Sequence, residues 1–344
     1  MNLQQLTFQN NFTKLIITIF VSMFISLNVQ SEIPEKYKID SSLAKCKGTD
    51  YKKWDNCYGE YVFPRNEYKG EWKNGAFHGQ GILREAWGGI YVGGFKNNLA
   101  DGFGRQEEKD GTWWECEVKN DSCNGKGKIF YPDGSSYEGE FKDFLYHGYG
   151  KLTDASGGVY EGQFVDNVSE GKGSYLSWNG DFYKGTFKKG FLDGEGFYSR
   201  KDGTEVSGFF TKDYLNGQGV WKFANGDVAE GNFKKDLLDG YGIYTWANGD
   251  KCEGEFKDAE RHGELNCIYA NGDNFIGEFK NNLENGFGKY EWVDGSKYAG
   301  NYLNGLEEGA GMYIKFEQYM YEGGFKNGDF HGLGNIQWSD GDRY

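Results

Sequence analysis

Apolar and polar positions alternate along this chain in short bursts, and the bursts return every 23 residues. The stretch Y-E-G-E-F-K-D-F-L-Y-H-G-Y-G-K-L-T-D-A-S-G-G, starting at Tyr137, shows the unit. Stepping by 23 from Gly139 in both directions lands on Gly70, Gly93, Cys116, Gly162, Gly185, Gly208, Gly231, Gly254, Gly277, Gly300 and Gly323. Eleven of these twelve positions are glycine, and no insertion or deletion breaks the register. A period of this length marks a repeat architecture, which grows by adding units rather than domains.

Two positions before each glycine stands a ring in most units, as in Tyr68, Tyr91, Trp114, Tyr137 and Tyr160. Two positions after it stands another, as in Trp72, Phe95, Phe141, Phe164 and Phe187. Spacing by two puts rings and glycine on one face of a strand and residues such as Glu138 and Glu140 on the other. The glycine between the rings is expected to leave room for an aromatic of the neighbouring strand. Glycines nine and eleven positions on, such as Gly148 and Gly150, are expected to close a loop and open a second strand. That strand ends in Asp-Gly or Asn-Gly, as at Asp133-Gly134, Asn248-Gly249 and Asp294-Gly295, the strongest short-range hairpin signal. The pattern predicts an all-β fold: an elongated, single-layer antiparallel meander of about twelve two-stranded units. At about 4.8 Å per strand the units would span on the order of 115 Å, coiled by the right-handed twist.

The units begin near residue 67, which divides the chain into segments 1–31, 32–66 and 67–344. In the first, Lys14 precedes an apolar run, Leu15–Leu27, and Val29 and Ser31 allow cleavage before Glu32. This reads as a signal peptide, with an uncleaved anchor as the alternative. The second holds W-D-N-C-Y-G-E-Y-V-F-P-R-N, Trp54 to Asn66, read as a cap ended by Pro64. Six cysteines fall in three local pairs: Cys46 with Cys57, Cys116 with Cys123, and Cys252 with Cys267. They are expected as disulfides in an exported (periplasmic or secreted) protein. Zinc is the alternative, although the spacing lacks the usual close pairs and no histidine is near. A net charge of −14 excludes a nucleic-acid partner, whose phosphates need a basic footprint.

Y-x-G-x-F, a loop, H/D/N-G-x-G and a closing D/N-G resemble the MORN (membrane occupation and recognition nexus) repeat, from Tyr68 to Tyr344. The start, Cys46 to Gly59, resembles the cysteine-bearing lead-in of some exported bacterial MORN proteins. The resemblance implies a β-hairpin sheet without catalytic activity of its own, and no cofactor is expected. It implies protein scaffolding, dimerisation and, in some members, phospholipid association. Cys116, Leu265 and Gln318 depart from the repeat's glycines, and local irregularity is expected there.

Candidate chemistry is sparse. His78, His147, His262 and His331 share one slot, filled in other units by Asp, Asn or Glu, so a turn hydrogen bond is expected rather than a metal. Glu138 and Glu140 would stand about 6.7 Å apart, inside the window of an inverting glycosidase pair. Glu115/Glu117 and Glu253/Glu255 repeat the arrangement, which favours a solvated acidic face. The residue after the phenylalanine is Lys73, Lys96, Lys119, Lys142, Lys188, Lys234, Lys257, Lys280 or Lys326 in nine units of twelve. The row either keeps a turn soluble or meets phospholipid headgroups or an acidic partner. Tyr344 restarts a unit at the C-terminal end. The strand carrying Ile336 and Trp338 is expected to be a bare edge for self-association or partner docking. The chain thus reads as a non-enzymatic exported scaffold that binds a protein partner or itself, or alternatively as a peripheral phospholipid-binding protein.

Overall fold

A computed structural model describes residues 39–344. The signal segment expected over residues 1–31 lies outside these, as does the start of segment 32–66. The described residues form 25 strands and one short 3-10 turn, Tyr51–Lys53. They make two compact units. One runs to Trp178 and takes in Phe187–Gly190; the other is Asn179–Thr186 with Phe191–Tyr344. Within each, strands pair antiparallel with their neighbours in sequence. All-β hairpin repeats follow, as the alternation predicts.

The repeat at Tyr137 shows how residues make the unit. Its first strand is Ser136–Lys142 and its second Leu145–Thr153. Asp143 and Phe144 join them with φ of 50° and 63°. Positive φ at both central residues gives the turn whose twist matches its flanking strands. The second strand therefore starts before Gly148, not after the expected loop. Gly148 (φ 61°) lies inside it. The register pairs Gly139 with Gly150 and then Glu140 with His147, so Gly148 and Tyr149 bulge out. Glycine supplies the left-handed conformation that such a bulge needs.

Loops between repeats use the Asp-Gly and Asn-Gly dipeptides. Gly134 (φ 89°) donates its N–H to Tyr131 O at 3.0 Å, and Tyr131 N–H reaches Ser135 O at 2.9 Å. Asp133 Oδ1 accepts from Ser135 N at 2.8 Å. This is a type I turn closed by a left-handed glycine, with an Asx bond across it.

The core is the ringed face. Tyr137 meets Phe141 edge-on at 5.1 Å and Phe164 of the next repeat at 5.2 Å, and stacks on Tyr146 at 3.8 Å. Its hydroxyl donates to Glu140 O at 2.8 Å. The ring lies over the facing glycines: a Cβ on Gly139 would come within 2.5 Å of the Tyr137 hydroxyl. The room left by the glycine is thus filled by the tyrosine two residues upstream on the same strand, not by a neighbouring strand's ring. Burying each such ring stabilises by about 1.5–3 kcal/mol. Val206, Ala229 and Cys252 replace the tyrosine in three repeats, and Leu215, Leu238 and Leu265 fill the space over Gly208, Gly242 and Gly254.

The departures from the motif are local. Cys116 occupies the glycine slot and is buried, joined to Cys123. Leu265 is buried against Gly254. At Gln318 the loop tightens, with Glu317 at φ 57° and Gln318 N donating to Lys315 O.

At the start, Tyr58 N–H donates to Ala44 O and Cys46 N–H to Tyr58 O, each at 2.9 Å. The Cys46–Cys57 bond fixes this cover over the edge strand Cys57–Val62. Trp54 is buried against Trp72, edge-on at 5.0 Å.

Candidate interaction surface

Each strand turns its second face outward, and the sequence-selected residues distribute over it as follows. All nine lysines of the row are exposed, each ending the first strand of its hairpin. Lys234 pairs across the turn with Leu237, Lys257 with Glu260 and Lys280 with Leu283.

The histidine slot reaches toward the next repeat. Asn124, Glu170 and Asn216 accept there from the backbone N–H of Asp143 (3.2 Å), Lys189 (2.9 Å) and Lys235 (3.0 Å). His147 occupies the same slot, its Nδ1 3.5 Å from Asp166 Oδ1 of the following turn. Asn and Glu in this slot tie one hairpin turn to the next, whereas Nδ1 of His78 and of His147 makes no hydrogen bond among the described residues, unlike the turn bond expected. Among the described residues, no group of three or more His, Cys, Asp or Glu could hold a metal ion.

Glu138 and Glu140 do not form a facing pair. Glu138 meets Lys128 at 3.2 Å, while Glu140 lies against the Gly148 bulge. The structure joins Cys46–Cys57, Cys116–Cys123 and Cys252–Cys267, the three pairs that proximity selects.

The C-terminal edge differs from the bare strand expected. Ile336 and Tyr344 exchange backbone bonds at 2.8 and 2.9 Å, and Trp338 N–H donates to Asp342 O at 2.8 Å. The tail folds back and uses the edge groups of Ile336 and Trp338 itself. The physical reason is the type I turn closed by Gly341 (φ 98°), whose N–H bonds Trp338 O at 3.0 Å.

Sequence reading passed over another row on this face. Ten positions after the repeat glycine stand Phe103, Tyr149, Tyr241, Phe287 and Leu333, all exposed. Polar residues such as Lys126, Lys172, Gln218 and Glu264 fill the slot in repeats between. The rings recur at twice the repeat length, which is the signal that could have found them. Glu195 breaks the series, but exposed Phe209 lies directly opposite it.

The MORN repeat profile matches twelve segments, from 68–89 through 321–343. The chain belongs to the MORN repeat family. No curated protein matches its sequence. Among solved structures, a mutant TCP10 domain of Danio rerio CPAP is similar at 13% identity and a TM-score of 0.32. That match covers 63% of this chain and 96% of that one. The SAS-4 (dCPAP) TCP domain of Drosophila melanogaster, in complex with a proline-rich motif of Ana2 (dSTIL), is similar at 15% identity and a TM-score of 0.28. It covers 45% of this chain and 85% of that one.

Proposed function

We propose that the chain is an exported, non-enzymatic scaffold that binds protein partners across the outward face of its repeats. The observation that carries this reading is that, within each unit, large apolar side chains stand exposed in one slot of the repeat. Tyr149 is 56% exposed, Tyr241 58% and Phe287 50%, while the opposite face holds a packed aromatic core. Scattered apolar residues on a surface are ordinary, but rings held in one structural slot form a repeated contact. Polar side chains of the motif are engaged in turns and bulges, which supports binding rather than catalysis. Three disulfides support an oxidising compartment.

The test is capture from an exported-protein fraction by the immobilised full chain. Serine at Tyr149, Tyr241 and Phe287 together is expected to abolish the capture seen with the wild type. Undiminished capture overturns the reading. Non-reducing mass spectrometry is expected to find no free thiol, and six free thiols would overturn export.

A second reading is phospholipid binding through the lysine edge. The exposure of all nine lysines favours it, as does an exposed leucine across the turn from Lys234 and from Lys280. Flotation with phosphoinositide-containing liposomes decides it. Glutamate at Lys234, Lys257 and Lys280 should release the protein, and unchanged flotation would exclude the row.

A further inference from the structure

On the outward face some glutamates are paired with cations and others are not. In the first unit Glu115 lies 3.5 Å from Arg105, Glu138 3.2 Å from Lys128 and Glu60 3.5 Å from Lys69, and in the second Glu205 lies 3.0 Å from Lys222 and Glu291 2.9 Å from Lys297. In the second, Glu253, Glu255, Glu264 and Glu278 occupy the lane between Tyr241 and Phe287. No lysine or arginine bridges any of these four among the described residues. Glu264 and Glu278 are directly opposite one another across their strands, an arrangement of like charges that destabilises a sheet. Tyr241 stands opposite Glu255, and its hydroxyl donates to Glu253 Oε1 at 2.8 Å, which fixes the ring over the lane.

We infer that this lane, from Tyr241 to Phe287, is a docking surface for an extended, basic segment of a protein partner. The inference deepens the scaffold reading and rests on it. Charge complementarity selects the occupant: carboxylates without a cationic partner, flanked by exposed rings, attract guanidinium and ammonium groups by ion pairing and by cation–π contact. Geometry sets its length. The two rings are four strand steps apart, about 19 Å at strand spacing, which an extended peptide crosses in about six residues. A cationic side chain placed between Glu264 and Glu278 removes their repulsion, so the cost present in the free chain becomes binding selectivity. Lys234, Lys257 and Lys280 along the turn edge repel the same segment and hold it in the lane.

The experiment measures fluorescence anisotropy of a labelled arginine-serine peptide of about 12 residues, long enough to reach both rings. It uses the full disulfide-bonded chain, with a glutamate-serine peptide as control. The basic peptide alone is expected to bind. Glu264→Gln with Glu278→Gln should weaken it at least about tenfold, and Tyr241→Ser with Phe287→Ser at least about fivefold. Glu138→Gln in the first unit should leave it unchanged. The free Glu264→Gln protein should also melt higher than wild type, which separates lost binding from lost folding. Absence of binding, equal weakening by Glu138→Gln, binding indifferent to the rings, or binding reproduced by calcium alone overturns the inference. If partner capture by the wild-type chain persists while the basic peptide fails, the scaffold reading stands and this lane assignment falls. If capture also fails, both fall.

Discussion

Tyr302 is buried, yet its hydroxyl has no hydrogen-bond partner among the described residues. Tyr137, in the other tyrosine environment, donates its hydroxyl to Glu140 O. Removing the two hydroxyls should therefore act in opposite directions. Tyr302→Phe is expected to be stabilising by about 1 kcal/mol, because an unsatisfied polar group leaves the core, and Tyr137→Phe to cost about 1 kcal/mol. Urea unfolding midpoints of the two variants check this, and a loss in both would contradict it. Glu85 gives the clearest pH effect. Burial pushes its carboxyl up to about 7, with the Glu108 charge adding to the rise and the Gln106 amide, at 3.3 Å, opposing it. A pKa raised above the unfolded value makes the contribution complete below about pH 4.5 and lost as pH climbs through about 7. Glu85→Gln should thus be neutral near pH 4 and stabilising near pH 8. The gain is about 1–2 kcal/mol after discounting for a half-exposed group. An equal effect at both pH values would contradict the assignment.

At the scale of the hairpin, the two-residue turns explain what the sequence showed and what it hid. Loops between repeats were legible because Asp133-Gly134 and its equivalents announce a left-handed glycine. The turn inside each repeat was not, since Asn97-Asn98, Asp143-Phe144 and Asp258-Ala259 reach positive φ without glycine. The bulge glycine misled for a related reason: a glycine such as Gly148 signals a loop and a mid-strand bulge equally. The second turn residue also stitches repeats together. Asp236 accepts from Leu215 N–H at 2.7 Å and Asn282 from Arg261 N–H at 2.9 Å. Ala259 holds the same position at φ 66° and has no side chain to accept from Leu238 N–H. Asparagine tolerates this conformation and supplies the acceptor. Ala259→Asn is therefore expected to stabilise by about 1 kcal/mol, read as a higher melting temperature. A lower one would show that the slot is not the stitch described.

Across the molecule, stability should follow the repeat rather than the chain as a whole. A 23-residue period without breaks was legible in full, and so were the aromatic face and the cysteine pairs, because each depends on spacing alone. The outward rings at Tyr241 and Phe287 were hidden, because they recur only in alternate repeats and a single-repeat alignment averages them away. The tail over Ile336 was hidden because its pairing follows from the turn at Gly341, not from alternation. Rings of the core touch their own repeat and the adjacent ones, as Phe164 does with Tyr160 at 5.0 Å and with Tyr137 of the preceding repeat at 5.2 Å. Energetics of that kind are close to a sum of unit and nearest-neighbour contributions. Phe164→Ala removes a side chain only 2% exposed, at a cost of about 3–5 kcal/mol. Hydrogen exchange should quicken in the strands from Ser136–Lys142 to Val168–Leu176. Protection at Asn66–Lys73 and Ile90–Lys96, three and two repeats earlier, should hold. Uniform loss across all of these strands would mean that the first unit unfolds as one cooperative block, and the additive description would fail.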